Sequence, residues 1–230
     1  MAWSPVFKNN IIGFIGIAII LILLGVLYFQ ERTRMNHCYG VLFYKRAQEC
    51  GDKCSLRQQL SYYRKAIYHD PNCADAHYQL GVLYRKIGNY QQALQSYKKA
   101  AALDQSHFKA YFELGLDCFQ QGQPEYATRF FKQAYRFNNN FADLHYYMGR
   151  VYEQKREWIK AQWHYMRTIS IEEKYFDAHL RLGMIYHLLE NDRLALEQVE
   201  ALRFFRENDR ANHLEYFIKT DQRSTIPESQ

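Results

Sequence analysis

The chain has 230 residues, of which 23 % are charged and 48 % are apolar, which excludes a disordered or fibrous protein. Its 4 prolines and 11 glycines exclude a collagen-like or linker-rich architecture. The formal net charge of +6 is modest and spread along the chain, so the charge balance does not indicate nucleic-acid binding.

The first predicted element is a membrane-spanning helix at residues 11–29, a stretch of nineteen residues without a charge. As a helix this stretch is about 28 Å long, close to the ~30 Å hydrocarbon core of a bilayer. A buried core helix would show a polar face, and a cleaved signal peptide would end at small residues rather than at Tyr28 and Phe29. We therefore predict an uncleaved single-pass anchor, with residues 1–10 as its flank and residues 30–39 as a juxtamembrane segment.

Basic residues on either side of this span set its expected orientation. Lys8 precedes the span, whereas Arg32, Arg34, Lys45 and Arg46 follow it. Lysine and arginine accumulate on the cytosolic side of membrane proteins. We therefore expect the domain after the span to be cytosolic, although the free amino terminus adds charge to the other side and an extracytoplasmic domain is the alternative.

The cysteines bear on the same question, and they are Cys38, Cys50, Cys54, Cys73 and Cys118. An odd number does not suit a secreted disulfide framework. Cys50 and Cys54 are four residues apart, unlike the two-residue spacing of zinc knuckles, so we expect ordinary thiols rather than a metal site. An extracytoplasmic domain would favour a Cys50–Cys54 or Cys38–Cys54 bridge.

The rest of the chain repeats every 34 residues. The small residues of the repeat are Gly81, Gly115, Gly149, Gly183, Ala93, Ala127, Ala161 and Ala195. Four further columns of apolar and aromatic residues keep the same register. Each copy predicts a helix hairpin in which the small residues allow close approach of the two helices. The many rings, 20 Tyr and 15 Phe in all, fill the space beside them.

This pattern resembles the tetratricopeptide repeat (TPR) family, whose repeat has 34 residues with Leu-Gly, Tyr, Ala, Phe and Ala at fixed offsets. The best matches are HYQLGVLYRKIGNYQQALQSYKKAAALD and YFELGLDCFQQGQPEYATRFFKQA. The Trp column of the family is occupied here by His77, Tyr111, His145 and His179, and the closing Pro is absent from the clear repeats. The resemblance implies an all-α fold, a solenoid of TPR helix hairpins behind a single transmembrane helix.

The register divides this part of the chain into repeats. Four clear copies are expected at residues 74–107, 108–141, 142–175 and 176–208. A divergent copy at residues 40–73 keeps Tyr63 and Ala66 in register but has Ala47-Gln48 in place of Leu-Gly. Residues 209–219 are expected to form a capping helix and residues 220–230 a frayed tail.

The resemblance also implies which side chains line a concave groove. These candidate partner-binding residues are Tyr78, Val82, Arg85, Phe112, Leu116, Phe119, Tyr146, Arg150 and Glu153. Only Arg150 fits the pattern of TPR grooves that grip the C-terminal carboxylate of chaperones, so we do not expect that ligand. The aromatic and apolar groove suits a peptide or helix with Leu, Phe or Met anchors, and packing between helices is the alternative for each ring.

The sequence carries no signature of a catalytic site: it has no Gly-rich phosphate loop, no nucleophile elbow and no His-Glu-x-x-His. We therefore expect no enzymatic activity, cofactor, metal, small-molecule substrate or nucleic-acid partner. The histidines in the Trp column are expected to be packing residues with one ring nitrogen satisfied. The cations of the second helices are expected to form a solvated convex face, with a membrane or RNA role as the weaker interpretation.

Together these features predict a membrane-anchored protein–protein interaction scaffold or adaptor. Its expected partner is a peptide or helical segment of a membrane-associated protein, and its expected role is the assembly of a membrane complex. A receptor-like module for proteins in transit and a regulatory subunit of a membrane enzyme are the alternatives. Anchoring would restrict the search volume, so even a weak groove could act on partners at the same membrane.

Overall fold

The structure, a computed structural model, describes the backbone of residues 5–220 and the side chains of residues 21–51 and 53–220. In this part of the chain there are eleven α-helices, one short 3-10 helix at Gly51–Lys53 and no strand. The helices are α1 (Pro5–Cys50), α2 (Leu56–His69), α3 (Ala74–Lys86), α4 (Tyr90–Leu103), α5 (Phe108–Gln120), α6 (Pro124–Phe137), α7 (Ala142–Gln154), α8 (Trp158–Ile171), α9 (Phe176–Leu188), α10 (Asp192–Phe204) and α11 (Asn208–Thr220). The chain divides into two compact units, Met1–Leu103 and Asp104–Gln230.

In the N-terminal unit α2 packs against both α1 and α3, and α3 packs against α4. The divergent repeat is a helix hairpin formed by the end of α1 with α2. The 34-residue register aligns Arg46-Ala47, rather than Ala47-Gln48, with the Leu-Gly pair. Ala47 in the glycine column and Tyr63 in the aromatic column are both buried. The Tyr44 ring meets the Tyr63 ring edge-on at a centroid distance of 5.8 Å. Alanine therefore replaces glycine in this copy without loss of the hairpin.

Helix α1 is continuous over 46 residues, so no break separates the expected juxtamembrane segment, residues 30–39, from the divergent repeat. Among the described side chains, from residue 21 onward, no helix carries an apolar stretch long enough to cross a bilayer. The first half of the predicted span at residues 11–29, its flank at residues 1–10 and the predicted tail after Thr220 lie outside those residues.

A disulfide joins Cys50 to Cys54 across the turn between α1 and α2, where ordinary thiols were expected. The turn brings their Cα atoms to 5.4 Å, within the range that a disulfide spans. The side chain of Gln59 holds the same turn by donating to the Gly51 carbonyl oxygen at 2.6 Å. The remaining cysteines, Cys38, Cys73 and Cys118, are free thiols.

In the C-terminal unit each second helix packs against the helix before it and the helix after it. Helix α6 contacts α5 and α7, α8 contacts α7 and α9, and α10 contacts α9 and α11. The first helices α3, α5, α7 and α9 begin where the clear repeats were expected to start, at Ala74, Phe108, Ala142 and Phe176. The first helices of the clear hairpins thus start 34 residues apart.

The glycine column leaves no room for a side chain. A Cβ atom on Gly115 would lie 2.5 Å from the Phe131 ring, and one on Gly149 would lie 2.6 Å from the Tyr165 ring. The last repeat differs, because Leu214 of α11 rather than a side chain of α10 lies against Gly183. The expected capping helix therefore completes the core of the last repeat.

The turn of every clear hairpin contains a residue in the left-handed conformation. These residues are Gly88, Gly122, Arg156 and Glu190, with φ values of 80°, 70°, 57° and 58°. In the third turn the Glu157 amide donates to the Tyr152 carbonyl oxygen at 2.9 Å, the long hydrogen bond of a Schellman motif. Glycine adopts this conformation without steric strain, whereas Arg156 and Glu190 do so against the repulsion of their own Cβ atoms.

We expect Arg156→Gly to raise the free energy of unfolding by about 0.5–1 kcal/mol. The substitution removes roughly 1–2 kcal/mol of left-handed strain, partly offset by the greater freedom of glycine in the unfolded chain. Urea unfolding measures the difference. Arg129→Gly in the exposed interior of α6 is the matched control and should lower the stability by about 0.5–1 kcal/mol. Equal losses in the two variants would contradict the proposed strain at Arg156.

Candidate functional site

The N-terminal unit carries three candidate residues on α3. Tyr78 and Val82 are half-buried, and Arg85 is exposed. The Tyr78 ring lies 5.8 Å from that of Tyr97, the buried ring that also contacts Gly81. This face of α3 therefore combines an anchored ring with an accessible charged side chain.

Three candidates of the C-terminal unit belong to its core. Phe112, Leu116 and Tyr146 are exposed by only 7 %, 8 % and 7 %. The Phe112 ring packs against the rings of Phe131 at 5.8 Å and Phe141 at 5.0 Å. For these three side chains the structure agrees with the packing alternative: Phe131 and Phe141 pack against Phe112, and Tyr165 and Tyr175 pack against Tyr146. Their replacement by alanine would test the core rather than a binding surface.

A smaller accessible surface remains on α5 and α7, formed by the half-buried side chains of Phe119, Tyr147 and Arg150, which we call the Arg150 patch. The Arg150 guanidinium lies over the Phe119 ring at 5.4 Å, and the Tyr147 ring meets Phe119 edge-on at 6.0 Å. Arg150 also makes a long contact of 3.5 Å with the Tyr146 hydroxyl. Within the described residues Arg150 has no carboxylate partner, so its charge is available to a ligand.

Glu153, by contrast, is engaged inside the unit. The Arg181 guanidinium donates to one of its carboxylate oxygens at 2.7 Å, and the Tyr165 hydroxyl donates to the other at 2.5 Å. Burial raises the pKa of Tyr165, and the neighbouring Glu153 carboxylate raises it further, so the phenol stays protonated. Arg181 was missed at the sequence level because it stands at an offset not assigned to the groove. An opposite charge in the following repeat is the signal that could have revealed it.

The acidic residues near the start of the first helices are also paired. The Tyr175 hydroxyl donates to Asp143 at 2.9 Å, and Arg210 of α11 donates to Asp177 at 3.0 Å. The Tyr175 ring in turn lies 4.9 Å from that of Tyr146. These contacts join neighbouring repeats. Since both aspartates are engaged in this way, the half-buried Arg150 has no acidic partner among the described residues.

The histidines of the Trp column each hold the preceding turn. Their Nε2 atoms lie within 3.0 Å of the carbonyl oxygen six residues earlier, in the pairs His77 with Pro71, His145 with Asn139 and His179 with Glu173. These histidines are therefore packing residues with a satisfied ring nitrogen, as the sequence predicts. Among the described residues no group of three or more His, Cys, Asp or Glu side chains is arranged to hold a metal ion.

His145 makes a second contact that the repeat pattern does not reveal. Its Nδ1 lies 3.1 Å from Nδ1 of His164 on α8, and both rings are buried. Because the Nε2–H of His145 donates to Asn139, its Nδ1 accepts and His164 donates. Burial lowers the pKa of both histidines, that of His164 to about 3 with a further contribution from His145, so the pair is neutral at pH 7.

Comparisons with known proteins agree with this architecture. The tetratricopeptide repeat profile matches residues 74–107. A crystal structure of MamA is similar at 26 % identity and a TM-score of 0.58, covering 76 % of this chain and 97 % of that one. YrrB, a TPR protein with an unusual peptide-binding site, is similar at 22 % identity and a TM-score of 0.62, covering 76 % of this chain and 90 % of its own.

A third solved structure, PilF of Pseudomonas aeruginosa, is similar at 17 % identity and a TM-score of 0.56, covering 87 % of this chain and 94 % of that one. The comparison with curated proteins gives no significant match. The similarities support a TPR-like helical repeat fold, and they suggest a module for protein–protein interaction.

The buried imidazole pair predicts a loss of stability in acid. In the unfolded chain the imidazoles of His145 and His164 bind protons below about pH 6.5, whereas in the folded protein they stay neutral. The free energy of unfolding therefore falls as the pH drops from about 6.5 toward 3. The slope for His164 should reach about 1.4 kcal/mol per pH unit. Urea unfolding at pH 7.5 and 5.0 measures it.

The His164→Gln variant lacks one titrating group, so the free energy of unfolding of this variant should change less between pH 7.5 and pH 5.0. His213→Gln, at an exposed position of α11, is the control and should retain the wild-type slope. A His164→Gln variant with the wild-type slope would show that the pair does not titrate as the geometry requires.

Proposed function

We propose that this protein is a membrane-anchored adaptor that binds a segment of a partner protein at the Arg150 patch. The observation that carries the proposal is the half-buried Arg150 guanidinium, stacked on Phe119 and without a carboxylate partner among the described residues. Arginine and aromatic side chains of this kind dominate the binding energy of protein interfaces. We expect no catalytic role.

The composition of the patch indicates what its partner would offer. Phe119 and Tyr147 present ring surface to an apolar anchor such as Leu, Phe or Met, and Arg150 can donate to a carbonyl or carboxylate oxygen. A peptide or one face of a helix supplies both groups at short spacing. The peptide-binding site named for YrrB is consistent with this use of the fold. Tyr78, Val82 and Arg85 on α3 are a separate candidate surface of the N-terminal unit.

Membrane attachment is supported by the uncharged residues 11–29. Holding the repeats at one membrane raises the effective concentration of partners in that membrane, so a patch of few residues can suffice. We propose a role in assembling a membrane complex. Stable stoichiometric co-purification would support this role, transient binding displaced by peptide would indicate a receptor for proteins in transit, and altered activity of a bound enzyme would indicate a regulatory subunit.

We propose that the repeats lie on the cytosolic side, because Arg32, Arg34, Lys45 and Arg46 follow the predicted span. The Cys50–Cys54 disulfide is the feature that opposes this side, since disulfides persist mainly in oxidising compartments. A cytosolic domain therefore requires that Cys50 and Cys54 be reduced in the cell.

A double substitution at the Arg150 patch tests the adaptor proposal. We expect Arg150→Ala with Phe119→Ala to reduce crosslinked recovery of the partner from native membranes at least about tenfold, because both anchors of the patch are lost. The readout is quantitative mass spectrometry after pull-down of the full-length protein, with helicity checked by circular dichroism.

Tyr126→Ala with Arg129→Ala is the matched control, since it removes one exposed ring and one exposed cation from α6. The control should retain the partner. Equal recovery with the patch variant and the wild type would exclude the Arg150 patch as the binding site.

Charged substitutions in the predicted span test the anchor. We expect Ile20→Arg with Leu23→Arg to release the protein from the membrane fraction in carbonate extraction, since each arginine near the bilayer centre disfavours insertion by about 2.5–3.5 kcal/mol. Leu42→Arg, at an exposed position of α1 beyond the span, is the control and should stay in the membrane. Retention of the double variant would contradict the anchor.

Labelling of Cys38, an exposed free thiol, in cells that express the protein shows on which side of the membrane the repeats lie. A maleimide that does not cross membranes should label Cys38 only after permeabilisation if the repeats are cytosolic. Labelling in intact cells or spheroplasts would reverse the proposed orientation.

A further inference from the structure

A second candidate surface lies on the second helices of the C-terminal unit, distinct from the Arg150 patch on the first helices. Here Tyr135, Asn139, Trp163, Met166, Arg167 and Ser170 line a hollow of about 480 Å³, which we call the outer hollow. Tyr135 lies near the end of α6, Asn139 follows it in the turn, and the other four residues lie on one face of α8. The hollow therefore spans two successive repeats.

The outer hollow exposes two large apolar side chains that lie one helical turn apart on α8. Trp163 is 52 % exposed and Met166, three residues further along α8, is 47 % exposed. Trp, Tyr, Met and Arg, the residue types that line the hollow, are those enriched in protein interfaces. The volume lies within the range of about 300–1,000 Å³ that is usual for ligand sites.

The buried pair His145 and His164 packs against two side chains that line the hollow, Trp163 and Tyr135. The Trp163 ring stands perpendicular to the His164 ring at 4.7 Å, and the Tyr135 ring meets His145 edge-on at 5.7 Å. The Nε2 of His145 also holds the carbonyl oxygen of Asn139 at 3.0 Å. Because these groups are already ordered, a ligand would bind without having to immobilise them.

The charges around the hollow indicate the sign of its ligand. Helices α6 and α8 carry the exposed cations Arg129, Lys132, Arg136 and Arg167, whereas Lys160 pairs with Glu157 at the start of α8, and Glu125 is the one acidic residue within the two helices. Glu125 pairs with Lys155, outside these helices. Arg167 lines the hollow, where its guanidinium donates to the Ser170 hydroxyl at 3.3 Å and has no carboxylate partner among the described residues.

We propose that the outer hollow binds an acidic segment of a partner protein, which inserts one Leu, Met or Phe side chain beside Trp163 and Met166 and places a carboxylate on Arg167. The exposed rings provide the apolar anchor site, and the surrounding cations select an acidic segment over a basic one. The apolar side chains between these cations favour a protein segment with an apolar anchor over a ligand that is held by charge alone. This surface is independent of the Arg150 patch.

Fluorescence anisotropy of labelled peptides with the full-length protein in nanodiscs of neutral lipid tests the proposal. The probes are 12-residue peptides with a central Leu, Met or Phe flanked by Asp and Glu, the same peptides flanked by Lys, and acidic peptides with Ser at the centre. We expect saturable binding of the acidic anchored peptides, and at least about tenfold weaker binding of the other two sets.

Two variants locate the binding. Trp163→Ala with Arg167→Gln should weaken binding at least about tenfold. Met166→Glu should do the same by placing a negative charge in the hollow without touching the histidine pair, so it keeps the test valid if the first variant unfolds. Ile159→Ala with Lys160→Gln is the matched control, since it removes an apolar side chain and a cation from α8 outside the hollow, and it should bind normally.

Three outcomes would overturn the proposal. One is the absence of any preference for acidic anchored peptides. Another is an equal loss of binding in the Ile159 and Lys160 control, which would indicate general charge attraction. The third is binding of an RNA oligonucleotide or anionic vesicles that competes with the peptide and is insensitive to Met166→Glu. Arg150→Ala with Phe119→Ala should not affect peptide binding, so this test and that of the Arg150 patch can fail separately.

Discussion

The contact between a glycine of the first helix and a ring of the second determines much of the structure of this protein. The rings of Phe131 and Tyr165 fill the gaps that the missing side chains of Gly115 and Gly149 leave on the first helices, which we call notches. A Cβ atom at either glycine would lie 2.5–2.6 Å from the ring. The same two rings support Phe112 and Tyr146 at 5.8 Å and 5.9 Å. The same rings therefore bring the two helices together and help to bury Phe112 and Tyr146, which leaves Phe119 and Arg150, further along the first helices, as accessible surface.

The sequence predicts the hairpins well because their contacts recur at a fixed period. The small and aromatic columns place the starts of α5 and α7 at Phe108 and Ala142. The periodicity does not predict which first-helix rings stay accessible, since Phe112 is covered by Phe141 of the next turn. Nor does it predict the Glu153–Arg181 pair, which joins two repeats through residues that do not recur. Contacts between copies are thus less visible in the sequence than contacts within one.

The two candidate surfaces of the C-terminal unit share a physical design. Each places an arginine without a carboxylate partner among the described residues beside an aromatic ring, Arg150 with Phe119 and Arg167 near Trp163. They lie on different helices of the hairpin, so both could be occupied at once. Between them, the hydrogen bond from His164 to His145 links α8 to α7 inside the core. An adaptor with two independent surfaces can join two partners rather than only retain one.

Leu214 against Gly183 also bears on how an array of this kind can change in length during evolution. Repeat proteins grow by duplication of whole copies, each of which brings the residues that fill its own notches. The last copy here has Val199 in the aromatic column, and its notch is filled from α11 instead. The notch of this copy is thus filled from outside the copy, whereas the interior copies fill their own notches and can be duplicated as self-contained units.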